Sequence, residues 1–181
     1  LREDSRMKQM TIMSIGSYIF KGTIRENLEM GRKGASEDEM WQALRQVNLA
    51  GFVQENGGLE MKLLERGSNL SGGQCQRLAL ARALLHDSAI YIFDEATSNI
   101  DAESENDIMA VLRTLAQHKN VILISHRLAN VVPSDRIYVM DAGQVIEQGT
   151  HEELLQTGGQ YARLWKTQAE LERYDGKEVT A

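Results

Sequence analysis

Short apolar runs alternate with stretches of helical pattern through the middle and end of the chain. Nearly continuous apolar runs of this length are typical of strands buried on both faces of a sheet. Four such runs, rich in branched aliphatic residues, predict strands at residues 89–93, 121–125, 136–140 and 144–147. The sequence Asp141-Ala142-Gly143 between the last two predicts a tight hairpin.

The segment 102–117 has the apolar spacing of an amphipathic helix. Its apolar residues fall at i, i+3, i+4 and i+7, which places them in one stripe that would pack against the strands: Ile108, Val111, Leu112 and Leu115. Acidic residues are expected on the opposite, polar face: Glu103, Glu105 and Asp107.

Two capping boxes mark further helix starts. Ser36 is followed three residues later by Glu39, and Thr150 by Glu153, a spacing in which each side chain bonds the other residue's backbone N–H. These starts predict helices at 37–47 and 151–156. A strand, a helix and a second strand in succession favour a right-handed crossover and parallel pairing. The predicted class is therefore α/β with a parallel sheet and a helical insertion near the front of the chain.

Composition narrows the function classes. The chain has 181 residues, 42% hydrophobic and 25% charged, which suits one core. Its net charge of −6 argues against a nucleic-acid partner, because phosphate backbones are bound by clustered Lys and Arg. The longest apolar runs are far shorter than the roughly 20 residues that cross a bilayer. A single cysteine, Cys75, leaves no disulfide within the chain and fits a reducing compartment such as the cytosol.

A glycine-rich segment, Leu70-Ser71-Gly72-Gly73-Gln74, precedes a helix-forming run at 76–85. Glycines let the backbone approach a phosphate closely, and the first N–H groups of a helix have no internal acceptor. The helix dipole also favours negative charge there. Such a start therefore predicts an anion site, although a simple cap and turn explains the same residues.

Acidic residues and a histidine follow two of the predicted strands. Asp94 and Glu95 end the run at 89–93, where ligands bind at the edge of an α/β sheet. In phosphoryl transfer Asp94 would hold Mg²⁺ and Glu95 would orient the attacking water. An acidic turn explains the pair equally well. His126 follows the run at 121–125 and would lie beside the acids if the strands are neighbours, whereas Asp101 is also suited to an ordinary helix N-cap.

The order of these motifs resembles the ATP-binding-cassette (ABC) family. Residues 70–74, 94–95, 98–101 and 126 resemble its signature motif, Walker B motif, D-loop and H-loop, and the resemblance extends from about residue 17 to 161. In this family two nucleotide-binding domains dimerise head to tail, and each ATP lies between the Walker A motif of one and the signature motif of the other.

Roles follow from the resemblance residue by residue. The γ-phosphate of an ATP held by a partner domain would contact the signature residues Ser71, Gly72, Gly73 and Gln74. Glu95 would be the catalytic base, Asp94 the acid on the Mg²⁺ side and His126 the switch histidine. Asp101 would cross the dimer interface. The implied cofactors are ATP and Mg²⁺, and the implied partner is a second nucleotide-binding domain in a homo- or heterodimer.

The implied fold is part of a P-loop NTPase core with a parallel sheet, joined to a helical subdomain that carries the signature. Residues 1–174 would form the C-terminal part of a nucleotide-binding domain. The expected divisions are a helical subdomain at about 28–85, a sheet core at about 86–150, C-terminal helices at about 151–174 and a tail at 175–181.

Three segments favour a membrane exporter within the family. Residues 20–28 resemble the segment after the Q-loop, residues 65–67 resemble the exporter segment that contacts coupling helices, and residues 149–155 resemble the exporter C-terminal region. The resemblance implies transmembrane domains fused upstream and a location on the cytoplasmic face of the cell membrane. A soluble ATPase of DNA repair is the less favoured alternative.

The sequence departs from the family pattern in two places. No Gly-x-x-x-x-Gly-Lys-Ser/Thr motif is present, and Ile15 stands near the position of the loop glutamine. We therefore expect a truncated ATPase whose isolated form is inactive. The alternative is a non-hydrolysing module that donates its signature motif to a partner's ATP. Glu95 and His126 argue against that alternative, because a module that only donates needs neither.

Overall fold

The computed structural model describes residues 9–14, 17–97 and 100–178. Two compact units divide the chain, Leu1–Ile124 and Ser125–Ala181. In the first unit the strands are β1 (Met10–Ser14), β2 (Gly22–Thr23), β3 (Lys62–Leu63), β4 (Ile90–Asp94) and β5 (Asn120–Ile124). Its α-helices are α1 (Ile24–Glu29), α2 (Glu37–Gln46), α3 (Ala50–Glu55), α4 (Gly72–His86) and α5 (Ala102–Ala116).

Strand β4 is the centre of a three-stranded parallel sheet in the order β1-β4-β5. The α/β class and the parallel sheet are therefore confirmed. In the register of the sheet Asp94 lies between Ser14 and Ile124, so the carboxyl ends of all three strands meet at one edge. Strand β1 was not predicted, because the short run Met10–Ser14 mixes polar and apolar residues without a flanking turn signal.

The expectation that these strands are buried on both faces is wrong. Tyr91 and Phe93 are each 1% exposed and stack on one face of β4, whereas Ile122 on β5 is 51% exposed and Ile12 on β1 is 66% exposed. Helix α4 contacts β1 and α5 contacts β5. Within the described part of this unit, large apolar side chains on the sheet thus remain open to solvent.

Helix α5 carries the predicted apolar stripe. Ile108 and Leu112 are buried, and Val111 and Leu115 pack at the border of the core. The polar face was predicted wrongly at Glu105, which is 6% exposed. Glu105 lies in the first turn of the helix, where the dipole favours a carboxylate even in a partly buried position.

Capping boxes fix the starts of several helices. The predicted pairs Ser36 with Glu39 and Thr150 with Glu153 both form. Two more that we did not predict begin α1, where Thr23 pairs with Glu26, and α4, where Ser71 pairs with Gln74. Local sequence therefore determines where these helices begin.

The second unit contains a hairpin followed by helices. Its elements are α6 (Leu128–Val131), β6 (Ile137–Asp141), β7 (Gln144–Gly149), α7 (His151–Thr157) and α8 (Gln160–Glu178). The predicted hairpin turn is confirmed, since Ala142 and Gly143 both have positive φ, 46° and 78°, as a type I′ turn requires.

The boundaries of the elements differ from the predicted divisions in two respects. The region 86–150, predicted as one sheet core, contains a three-stranded parallel sheet in the first unit and an antiparallel hairpin in the second. Helix α8 continues to Glu178, beyond the predicted start of a tail at residue 175. None of the helices among the described residues is both long and apolar enough to cross a membrane.

Candidate functional site

The signature motif, Leu70–Gln74, forms the start of the fifteen-residue helix α4. Ser71 is the N-cap: its Oγ accepts a hydrogen bond from the Gln74 N–H at 3.2 Å, and the Ser71 N–H donates to the Gln74 Oε1 at 2.8 Å. The cap and the anion site are compatible, because a hydroxyl that accepts one bond still has its proton to donate. The N–H groups of Gly72 and Gly73 are the first two in the helix, where helical geometry supplies no acceptor.

Gly72 is exposed and Gly73 is buried, although they are adjacent. A Cβ on Gly73 would collide with the Ser104 hydroxyl and lie 2.8 Å from the Ser104 Cβ. It would also approach the Asp101 Oδ2 at 3.5 Å. Glycine at this position thus allows the start of α4 to pack directly on the start of α5.

Asp94 and Glu95 lie at the carboxyl edge of the parallel sheet, as predicted from the strand. Asp94 is exposed and is the last residue of β4. Glu95 is partly buried, and its N–H donates to the carbonyl of Ile124 at 3.0 Å. Its φ of 50° is left-handed, a conformation that costs a residue with a side chain about 1–3 kcal/mol and that is concentrated at functional sites.

Asp101 is the N-cap of α5, which was one of the two roles that the sequence predicted for it. Its Oδ1 accepts a hydrogen bond from the Ser104 N–H at 2.8 Å. This bond, the Ser104 hydroxyl and the charge of Arg77 lower the pKa of Asp101. The carboxylate is exposed, so the cap leaves part of it accessible to a partner. Ser98 and Asn99 of the predicted D-loop lie outside the described residues, as does Ile15 of the loop-glutamine position.

His126 belongs to the second unit and comes two residues after the end of β5. Its carbonyl accepts a hydrogen bond from the Gln168 Nε2 at 3.4 Å, and the Gln168 Oε1 accepts one from the Leu128 N–H at 2.8 Å. Gln168 of α8 therefore bridges the segment that carries the histidine. The predicted position of His126 beside the acids stays a prediction.

The exporter-like segment 65–67 contacts the residues just before the other exporter-like segment, 20–28. The Tyr18 hydroxyl donates to the Glu65 Oε1 at 3.2 Å. Gly67 packs on Ile19, whose Cβ would lie 3.3 Å from a Cβ on the glycine. Arg66, which lies between Glu65 and Gly67, has a left-handed φ of 59° and is exposed. The segment 65–67 is thus a tight turn held against the residues that precede 20–28.

An open groove of about 830 Å³ lies elsewhere in the first unit, beside β1 and α4. Its lining includes Ile12, Phe20, Met30, Arg82 and His86, and none of the predicted site residues. Ser71, Gly72 and Asp94 are instead exposed at the surface.

Whether these residues can hold Mg²⁺ depends on which side-chain oxygen atoms are available as ligands. Among the described residues no group of three or more His, Cys, Asp and Glu side chains is placed to hold a metal ion. Mg²⁺ commonly takes only one or two protein carboxylates and completes its shell with water and phosphate oxygens. An exposed Asp94 at the sheet edge fits an ion that arrives with a nucleotide.

Arg77, one turn beyond the signature motif, was not among the predicted site residues. Its guanidinium contacts three separate segments of the first unit. A basic residue four positions after a glycine at the start of a helix gives no strong signal alone. The partners lie 27 and 30 residues away in sequence, so only the fold reveals them.

Comparisons with known proteins confirm the resemblance to the ABC family. A family model described as ABC transporter matches residues 2–98. An ABC transporter ATP-binding protein of Haemophilus influenzae is 54% identical over 166 residues, which are 92% of this chain and 30% of that protein. An ATP-dependent lipid A-core flippase of Francisella tularensis is 42% identical over 160 residues, 87% of this chain and 26% of that protein.

A solved structure extends the agreement to three dimensions. A bacterial Atm1-family ABC exporter with ATP bound superposes with a TM-score of 0.85 at 40% identity, covering 92% of this chain and 29% of that one. The chain thus spans about 30% of the length of the relatives it matches. The family model covers more than half of the 181 residues, and the chain belongs to the ABC transporter family.

Proposed function

We propose that this chain is the signature-bearing, C-terminal part of a nucleotide-binding domain in an ABC exporter that couples ATP hydrolysis to transmembrane transport. The observation that carries the proposal is the presence, in one chain, of a glycine-rich helix start and of two carboxylates at the carboxyl edge of a parallel sheet. The first suits a phosphate, and the second suits water and a metal ion.

In this proposal the signature motif binds the γ-phosphate of an ATP held by a second nucleotide-binding domain. The N–H groups of Gly72 and Gly73 and the Ser71 hydroxyl donate to phosphate oxygens, while Gln74 keeps Ser71 in place through the capping box. Asp101 contacts the partner domain across the interface. The dipole of a fifteen-residue helix adds to the attraction for the anion.

Glu95 acts as the base that orients and polarises the attacking water. Its backbone is held in a left-handed conformation by the turn after β4, which fixes the direction in which the side chain leaves the sheet. His126 donates a hydrogen bond to the γ-phosphate. Asp94 holds Mg²⁺, directly or through water, and the ion would neutralise charge on the phosphates when bound.

The proposed partners are transmembrane domains, fused upstream, and a second nucleotide-binding domain. The exporter-like sequences at 20–28 and 65–67 support an exporter, and Tyr18, just before the first segment, donates a hydrogen bond to Glu65 of the second. The similarity to an Atm1-family exporter and to a lipid A-core flippase points the same way. The cytoplasmic face of the cell membrane is the location that this arrangement requires.

Two other functions remain as candidates. A non-hydrolysing module would use the signature motif alone, and it would leave Glu95 in a strained conformation without a role. A soluble repair ATPase would share the signature motif and the acids, but the net charge of −6 does not suit binding to DNA.

The coding sequence upstream of Leu1 separates these candidates at low cost. Membrane spans followed by a Gly-x-x-x-x-Gly-Lys-Ser/Thr motif would support the exporter. A start codon immediately before Leu1 would contradict it.

Hydrolysis is tested by steady-state ATPase assays on the complete exporter and on the isolated chain. We expect turnover by the complete protein and none by the isolated chain, which has no Walker A motif. Glu95→Gln should reduce kcat by about 10²- to 10⁴-fold, because it removes a general base. Glu103→Gln removes the same charge from an exposed position on α5 and should leave kcat unchanged. Turnover by the isolated chain that Glu95→Gln abolishes would refute the proposal.

A further inference from the structure

The side chain of Arg77 on α4 joins segments that are far apart in sequence. It is 18% exposed. Its Nη2 donates to the Ser104 Oγ at 3.2 Å, and its Nη1 donates to the Asp107 Oδ2 at 3.2 Å. A guanidinium is a rigid planar fork, so bonds made by different nitrogens fix its orientation.

The same guanidinium also holds the start of its own helix and a neighbouring loop. The Arg77 Nε donates to the carbonyl of Gly73 at 3.4 Å, and the Nη1 donates to the carbonyl of Asn48 at 3.3 Å. The Asn48 side chain closes the network by donating to the Asp107 Oδ2 at 3.1 Å. Arg77 thus bonds the second residue of α4 and two residues of α5.

Ser104 extends this network to the N-cap of α5. Its hydroxyl accepts from Arg77, and its backbone N–H donates to the Asp101 Oδ1 at 2.8 Å. Ser104 is 4% exposed and packs on Gly73 so closely that a Cβ there would collide with it. A continuous path of hydrogen bonds therefore runs from the Gly73 carbonyl through Arg77 and Ser104 to Asp101.

We propose that Arg77 is a positioning residue that locks the signature motif to Asp101, so that the two move as one body when ATP is bound. The inference rests on the proposed function, in which the signature motif meets the γ-phosphate and Asp101 meets the partner domain. Without the lock, closing of the dimer on ATP would have to order the two helix starts separately, and that entropy would oppose binding.

The first test measures the KM for ATP and the Kd for ADP in the complete exporter. Arg77→Ala should raise the KM for ATP by about tenfold or more, because small displacements at a phosphate site have large effects. The Kd for ADP should stay within about twofold, because ADP has no γ-phosphate for the signature motif to bind. If Arg77 had a purely structural role, Arg77→Ala would weaken the binding of ATP and of ADP equally. That result would overturn the proposal.

Two further variants serve as matched controls. Arg113→Ala removes an exposed arginine from α5 and should change neither constant. Arg77→Lys keeps the charge without the fork, so one ammonium cannot reach Gly73, Ser104 and Asp107 together. The KM for ATP of Arg77→Lys should therefore be raised almost as much as that of Arg77→Ala. Full recovery with lysine would mean that charge alone acts, contrary to the proposal.

A double-mutant cycle tests the path through Ser104. If Arg77 acts through the Ser104 hydroxyl, Arg77→Ala combined with Ser104→Ala should be no worse than Arg77→Ala alone. If the double variant instead changed the KM for ATP by the product of the two single-variant effects, to within about twofold, the two residues would act independently. That result would refute the path.

Hydrogen exchange tests the lock without reference to turnover. Ser104→Ala on α5 should speed amide exchange at residues 74–76 of α4, and Arg77→Ala on α4 should speed exchange at residues 104–105 of α5. Faster exchange confined to the mutated helix would overturn the lock. If the complete wild-type protein failed to hydrolyse ATP, the proposed function would be wrong, while this measurement would still decide whether the two helix starts are linked.

Discussion

At the start of α4 the backbone is held by side chains, whereas at the end of β4 it turns through a residue in left-handed conformation. Gln74 and Ser71 bond each other's N–H groups, and Arg77 bonds the carbonyl of Gly73. Glu95 has a φ of 50°, and Asp94 before it is exposed. The start of α4 is therefore locally stable, and the end of β4 with the acids is locally strained.

The difference fits the two tasks that we propose. A site that binds phosphate through backbone N–H groups needs those groups to be in position before the ligand arrives. A residue that directs a water molecule needs its side chain aimed, even where the backbone conformation is unfavourable. Substitutions that alter the backbone should consequently have opposite effects on stability at the two ends.

Gly73→Ala should give the largest loss of stability at the signature end. The added methyl group collides with Ser104, and overpacking of this kind costs about 1–3 kcal/mol. The matched control is Gly51→Ala in α3, where a Cβ meets nothing within 4 Å and should stabilise by about 0.4–1 kcal/mol. Thermal unfolding of the full chain by circular dichroism measures both.

A second variant shows whether the collision is the cause. Adding Ser104→Gly to Gly73→Ala removes the Oγ and the Cβ that the methyl group meets. It should recover part of the lost free energy of unfolding, although glycine in a helix costs about 1 kcal/mol itself. If Gly73→Ala alone stabilised the chain as Gly51→Ala does, close packing at the signature end would be refuted.

Glu95→Gly should act in the opposite direction at the acid end. Glycine adopts positive φ without a Cβ penalty, so we expect the free energy of unfolding to rise by up to about 1 kcal/mol. In a chain of this size that change is a shift in Tm of about 2–4 °C. Glu95→Ala removes the same carboxylate but keeps the strain, and it is the control for the loss of the charge. Equal Tm values for the two variants would argue against strain at this turn.

Much of the fold followed from local patterns in the sequence. The capping boxes at Ser36 and Thr150 and the turn at Ala142 and Gly143 depend on residues only a few positions apart, and all three form. Strands β4 and β5 were displaced by one residue from their predicted ranges. Hydrogen bonds and φ preferences over such short distances are visible in the sequence itself.

Features that depend on contacts between distant segments were not predictable. Strand β1 exists because Met10–Ser14 pairs along the whole of β4, eighty residues later in the chain. The burial of Glu105 and the partners of Arg77 likewise depend on the packing of α5 on α4. The sequence predicts which motifs form the site, and only the fold revealed that Arg77 connects Gly73 of the signature motif with the start of α5.

The smallest expected effect is a dependence on pH at the start of α5. The Ser104 N–H and hydroxyl lower the pKa of Asp101 in the folded chain, with a further contribution from the charge of Arg77. A carboxyl group whose pKa is lower when folded contributes stability above its unfolded pKa, about 4, and loses it as the pH falls through the folded pKa. The start of α5 should therefore open more readily below pH 4.

Asp101→Asn isolates this contribution. Asparagine is an equally good N-cap but does not titrate, so α5 should begin at the same residue. Amide exchange of Ser104, measured as protection relative to the intrinsic rate between pH 7 and pH 3, should fall less in this variant than in the wild type. Glu39 also has a lowered pKa, but it caps α2 and is unchanged in both proteins. An identical loss of protection in both would mean that the charge of Asp101 does not hold the start of α5, and that the bond to Ser104 acts through geometry alone.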